Sequence, residues 1–99
     1  MLNIQKILEG SVLTITLVGR LDVETTDQLT AEIDAIPAEV TELKVDMQEL
    51  EYVSSAGLRT LLLLAKAMAD RGGAFSCINV PKLIQETFEM TKLSKMMGL

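Results

Sequence analysis

The stretch that most constrains this chain is Tyr52-Val53-Ser54-Ser55-Ala56-Gly57-Leu58-Arg59. A strand-like apolar run, Leu43 to Met47, leads into it through a short acidic connection, Glu49 to Glu51, and a helix-like apolar run, Leu58 to Met68, leads out. Ser54 and Ser55 therefore stand at a strand-to-helix junction. Serine is a favoured N-cap at such a place, because its side-chain oxygen accepts a free backbone N–H. Two readings follow from the local chemistry: both hydroxyls serve the cap, or one of them is a regulated phosphate acceptor.

The elements on either side set the fold. Leu2 to Leu8 reads as a strand, Glu9-Gly10 as a tight turn, and Ser11 to Val18 as a second strand with Leu13, Ile15 and Leu17 on one face. Gly19-Arg20-Leu21-Asp22 breaks that alternation. Thr25 or Thr26 caps a helix whose apolar residues are Leu29, Ile33 and Ile36 and which Pro37 stops. A third strand starts at Thr41 or Glu42 and ends at Met47. The central helix runs from about Ala56 to Asp70, and its apolar Leu61 to Leu64 predicts burial on more than one side. Arg71-Gly72-Gly73 closes it. Ala74 to Ile78 is a further strand, Pro81 occupies a first helical position, and Leu83, Ile84, Thr87 and Phe88 carry a last helix to about Met90. The tail, Leu93 to Leu99, is a turn of helix or a strand fragment.

The order β-β-α-β-α-β-α implies right-handed crossovers, parallel pairs and one antiparallel hairpin. The expected fold class is α/β: one domain, residues 1–99, with a four- to five-stranded mixed sheet and helices mainly on one face. Ninety-nine residues suffice for one core without staples.

Charge and composition narrow the function. A net charge of −5 with no Lys/Arg cluster argues against nucleic acid and anionic membrane surfaces and fits a basic protein partner or plain solubility. Cys77 is the single cysteine and sits in an apolar run, which predicts a buried, inert thiol, no disulfide within the chain and no metal site. Neither a signal-peptide pattern nor a run long enough to span a bilayer is present, so a cytoplasmic location without membrane insertion is expected. The chain has no histidine, no phosphate-binding glycine loop and no nucleophile elbow. It is read as a non-enzyme.

Four local patterns in this order resemble the STAS-domain anti-sigma factor antagonists, bacterial partner-switching regulators. Gly19-Arg20-Leu21-Asp22 is similar to that family's Gly-Glu-Leu-Asp turn, and Leu43-Lys44-Val45-Asp46-Met47 to its third strand. Tyr52-Val53-Ser54-Ser55-Ala56-Gly57-Leu58 resembles its Asp-Ser-Ser/Thr-Gly-Leu switch segment, and Phe88-Glu89-Met90-Thr91-Lys92-Leu93 its late helix ending. The resemblance covers nearly the whole chain. It implies phosphorylation at Ser55 by a serine-kinase anti-sigma factor, release on phosphorylation, and resetting by a metal-dependent serine phosphatase. It further implies partner contacts at Asp22, Ser54, Ala56, Gly57, Leu58 and Arg59, with Asp46 in support near the same sheet edge as Asp22, no cofactor or metal, and a monomer when free. Ser54 stands where the family has aspartate, and Ala56 where it has a second hydroxyl. The alternative is an unphosphorylated STAS scaffold or an accessory subunit of a lipid or anion transport system.

Overall fold

The computed structural model describes residues 1–97; the last two positions of the tail lie outside the described residues. In chain order the elements are β1 (Leu2–Glu9), β2 (Val12–Leu21), α1 (Thr26–Asp34), β3 (Glu42–Val53), α2 (Ser55–Asp70), β4 (Ala74–Ile78) and α3 (Lys82–Met90). Among the described residues they form one four-stranded sheet in the order β1-β2-β3-β4. The first pair is antiparallel and the other two parallel, with α1 and α2 as the crossovers.

The alternation in β2 decides which face is covered. Leu13, Ile15 and Leu17, with Leu43, Val45 and Met47 of β3 and Cys77 of β4, are buried together with Leu29 of α1, Leu61, Leu64 and Met68 of α2, and Ile84 and Phe88 of α3. The three helices thus share one side, and Thr14, Thr16, Lys44 and Asp46 alternate onto the other. Lys6 of β1 points to the helix side yet stays half-exposed, its Nζ 2.8 Å from Glu32 Oε1 of α1.

Several boundaries differ from expectation, each for a physical reason. The hairpin turn is Gly10-Ser11 and not Glu9-Gly10, because Glu9 still pairs with Val12; Gly10 takes φ +62°. The chain does not break at Gly19: the bulges beside it lie in β3, which uses two more residues than β2 between the Thr16–Asp46 and Leu21–Val53 pairs, while β2 itself continues through Gly19 to Leu21. There Gly19 has φ +110°, and a side chain would collide with the Met1 carbonyl. β3 likewise does not stop at Met47. Two register shifts against β2 carry it on to Val53, so Leu50 is buried while Glu49 and Glu51 stay exposed within the strand. α1 ends at Asp34, leaving Ile36 buried beyond it, and Pro81 is the N-cap of α3, not its first residue.

The largest correction concerns α2. Leu61 and Leu64 are fully buried, but Leu63 is 45% exposed, so the helix is covered on one side only. The tail, as far as Met97, is turn structure. Met97 is buried, and its carbonyl accepts a hydrogen bond from Cys77 N at 2.7 Å, covering the outer edge of β4.

Candidate functional site

β2 and β3 run parallel and finish level, with Leu21 paired to Val53. Their carboxyl ends hold two connections side by side, the Asp22 turn into α1 and the Ser54 junction into α2. Ser54 N donates to Leu21 O at 2.9 Å, which ties the two together. Gly57 makes the contact close. A Cβ there would sit 2.8 Å from Leu21 O, 2.9 Å from Leu21 Cγ and 3.1 Å from Val53 Cγ1. Only glycine lets the first turn of α2 rest on the end of β2 in this way.

The two serines divide the work. Ser54, extended at φ −86° and ψ 174°, is the N-cap: its Oγ accepts from Gly57 N at 3.1 Å. Ser55 is the first residue of α2 and is exposed. Its hydroxyl therefore stands at the positive end of a 16-residue helix whose first turn contains no acidic residue. A group with negative charge is favoured there, since free N–H groups and the helix dipole point toward it.

The Asp22 turn is held by its own side chains. Thr25 Oγ1 accepts from Asp22 N and donates to Arg20 O, both at 2.9 Å. Asp22 Oδ1 accepts from Glu24 N at 3.0 Å, and Oδ2 lies 3.7 Å from Arg20 Nε. The Arg20 guanidinium also lies over the Tyr52 ring, 4.4 Å from its centroid. Arg20 faces Tyr52 because the two are register partners on β2 and β3.

Of the residues singled out from sequence, the structure brings Asp22, Ser54, Ser55, Ala56 and Arg59 to this end of the sheet. Gly57 and Leu58 belong to it but turn inward, Leu58 only 8% exposed, so they position α2 rather than present a surface. Asp46 is not there. It pairs with Thr16, five positions before Leu21, or roughly 16 Å along the strand. Its Oδ1 instead accepts from Gln48 N and Asn79 Nδ2 beside the end of β4. The extension of β3 past Met47 separates the two aspartates. Asp22 also does not stand there as a bare charge, since Arg20 lies beside it. Arg20, Tyr52 and Thr25 were missed as a group, because only the strand register brings them together.

Among the described residues no three His, Cys, Asp or Glu side chains are placed to hold a metal ion, and no helix is long and apolar enough to cross a membrane. Burial pushes the Cys77 thiol up to about 12. Its Sγ lies 3.7 Å from Met97 Sδ, inside the core and away from the junction.

A family model described as "Mlab, STAS domain" matches residues 4–98. The chain belongs to the STAS domain family. BtrV of Bordetella bronchiseptica, described as an anti-sigma factor antagonist, is 32% identical to this STAS domain over 76 residues. That alignment covers 76% of this chain and 66% of BtrV, so the chain spans about two thirds of that relative's length. Among solved structures, an anti-sigma factor antagonist from Mycobacterium paratuberculosis superposes with a TM-score of 0.83 at 20% identity, over 96% of this chain and 81% of that one. Unphosphorylated SpoIIAA gives 0.73 at 18% identity, over 91% and 83%. Phosphorylated SpoIIAA from Bacillus gives 0.74 at 18%, over 96% and 86%. These likenesses establish the fold: an anti-sigma factor antagonist-like STAS domain.

Proposed function

We propose that this STAS domain is a phosphorylation-controlled partner-switching protein, an anti-sigma factor antagonist whose switch is Ser55. Unphosphorylated, it binds a serine-kinase anti-sigma factor through the junction at the ends of β2 and β3 and frees that protein's other client. Phosphorylated, it lets go, and a metal-dependent serine phosphatase resets it. The observation that carries this reading is the division of the two serines: Ser54 supplies the cap, which leaves the Ser55 hydroxyl exposed at the start of α2.

The electrostatics support release without unfolding. A phosphoryl group adds roughly −1.5 to −2 charges. At the start of α2 the domain itself tolerates them. A docked surface does not, and mismatched interfacial charge costs about 3 kcal/mol, on the order of a hundredfold in affinity. Ser54 in the family's aspartate position keeps the cap, because both residue types cap equally well, but removes a negative charge beside the acceptor. Arg20 in the family's glutamate position changes the charge in the same direction. The kinase surface that fits this chain is accordingly less basic than one built for the family pattern.

The same lost charge favours a second reading, a STAS scaffold that holds its partner without phosphorylation. One experiment separates the two. Wild type, Ser55→Asp and Ser55→Ala are used as baits in native lysate, and the intact mass of the chain isolated from its own cells is measured. Capture of a kinase-type protein by wild type and its loss with Ser55→Asp support the switch, as does one phosphoryl mass that disappears in Ser55→Ala. Equal capture by all three baits with no added mass supports the scaffold.

A further inference from the structure

The side of α2 turned away from the sheet carries three residues that the Ser55 junction does not use, Leu63, Lys66 and Asp70, and one that it shares, Arg59. Arg59, Leu63, Lys66 and Asp70 recur at i, i+4, i+7 and i+11, which places them on one stripe of the helix. All four are exposed, Leu63 at 45%. Beside the stripe runs an apolar groove of about 580 Å³, lined by Leu62, Leu63, Ala69, Phe75 and Met96, with Arg59 and Lys66 at its rim. Met96 is 55% exposed and its flexible thioether side chain adapts readily to an occupant.

The charges decide what fits. Arg59 stands near the start of α2 and Asp70 is its last residue, so opposite charges sit about 16 Å apart along one stripe with apolar surface between them. A second α2 laid antiparallel across the groove sets Asp70 of the second copy against Arg59 of the first, and two-fold symmetry repeats the pair at the other end. The centre of the span falls between Leu64 and Ala65. Leu63 of each copy then enters the other's groove, with the Lys66 stem lying over it and its ammonium in water. The stripe complements itself in charge.

We propose that this groove docks a second copy of the chain, α2 against α2 antiparallel, with two Arg59–Asp70 pairs at the ends and Leu63 in the middle. The contact shares Arg59 with the junction but not the Ser55 hydroxyl, and its test reads self-association rather than partner capture, so it can fail without the partner-switching reading failing.

Sedimentation equilibrium from about 10 µM to about 1 mM protein tests it. Wild type is compared with Leu63→Glu, Arg59→Asp and the double reversal Arg59→Asp/Asp70→Arg, each checked for retained fold by circular dichroism. The substituted side chains are exposed, so the fold is expected to persist. Wild type should dimerise, and Leu63→Glu and Arg59→Asp should each raise the dissociation constant at least about tenfold. The double reversal should return it to within about threefold of wild type. A wild type that stays monomeric at about 1 mM overturns the proposal and leaves the groove to an acidic amphipathic helix of another protein. A dimer that neither single substitution weakens by more than about twofold also overturns it, as does a double reversal no tighter than Arg59→Asp alone.

Discussion

Four residues show how much a single position carries in this domain. Ser54 and Ser55 are neighbours of one type, yet their environments predict opposite outcomes. Ser54→Ala removes the bond from Gly57 N and should cost about 1 kcal/mol in urea unfolding, whereas Ser55→Ala should stay within about 0.5 kcal/mol. Ser54→Asp restores the cap and should recover the loss, which separates the cap from any role of the hydroxyl itself. Gly57→Ala is a packing test at the same junction. Its methyl meets backbone and branched carbon at the end of β2 and β3, and neither can yield, so a loss of about 2 kcal/mol or more is expected by the same measurement. Cys77 adds a pH dependence. Its ordinary value is 9.0 and burial raises it to about 12, so between these values the unfolded chain binds fewer protons than the folded one. The stability this thiol supplies is complete below about pH 9 and is lost as pH rises through about 12, at about 1 kcal/mol per pH unit. Cys77→Ala shares every other titration. The difference between the two chains, measured by urea unfolding from pH 8 to pH 11 (roughly the window that linkage defines), should therefore be flat up to about 9 and then shift against wild type.

At the scale of elements, the order and type of every strand and helix could be read from hydrophobic period. So could some ends, such as both ends of β4 and the last residues of α2 and α3, while the ends of β2 and β3 could not. β3 illustrates the reason. The run Gln48-Glu49-Leu50-Glu51 has too little alternation to announce a strand, and it becomes one only because β2 continues to Leu21 and supplies a partner ladder, against which β3 bulges twice. The same cause hid the geometry around Asp46: its type and place in a strand were legible, its distance from the junction was not, because that distance depends on two register shifts. The junction was legible for a different reason, since capping and a glycine at close approach are local chemistry. In α2 the failure came from composition. Four consecutive leucines suggest burial all round, yet the sheet and α1 cover only the Leu61 and Leu64 side. The asymmetry has a direct test: Leu64→Ala should destabilise by roughly 2–5 kcal/mol and Leu63→Ala by less than about 0.5, compared by urea unfolding. Similar losses at both positions would mean that the outer face is covered within the monomer.

For the whole molecule, the question is how one added phosphate changes partners without changing the fold. The helices occupy one side of the sheet, and Ser55, which is exposed, is not part of the core under them. Charge added at Ser55 therefore enters at the positive end of α2 and meets solvent, with Arg59 one turn along the helix able to reach it. The domain should gain about 0.3–1 kcal/mol from Ser55→Asp, by the interaction of a carboxylate with the helix end, and this gain should shrink in high salt. A partner docked over the same junction feels the opposite sign of effect, because it must desolvate the new charge or oppose it. Ser55→Asp should then raise the melting temperature slightly and weaken capture of the kinase-type partner strongly. Thermal unfolding at low and high salt, run beside the binding assay on one preparation, checks both. If Ser55→Asp instead lowered stability and binding together, loss of binding would reflect a damaged fold and the junction would not be acting as a switch. Opposite movement of the two quantities is the signature of a charge placed where the fold accepts it and the interface does not.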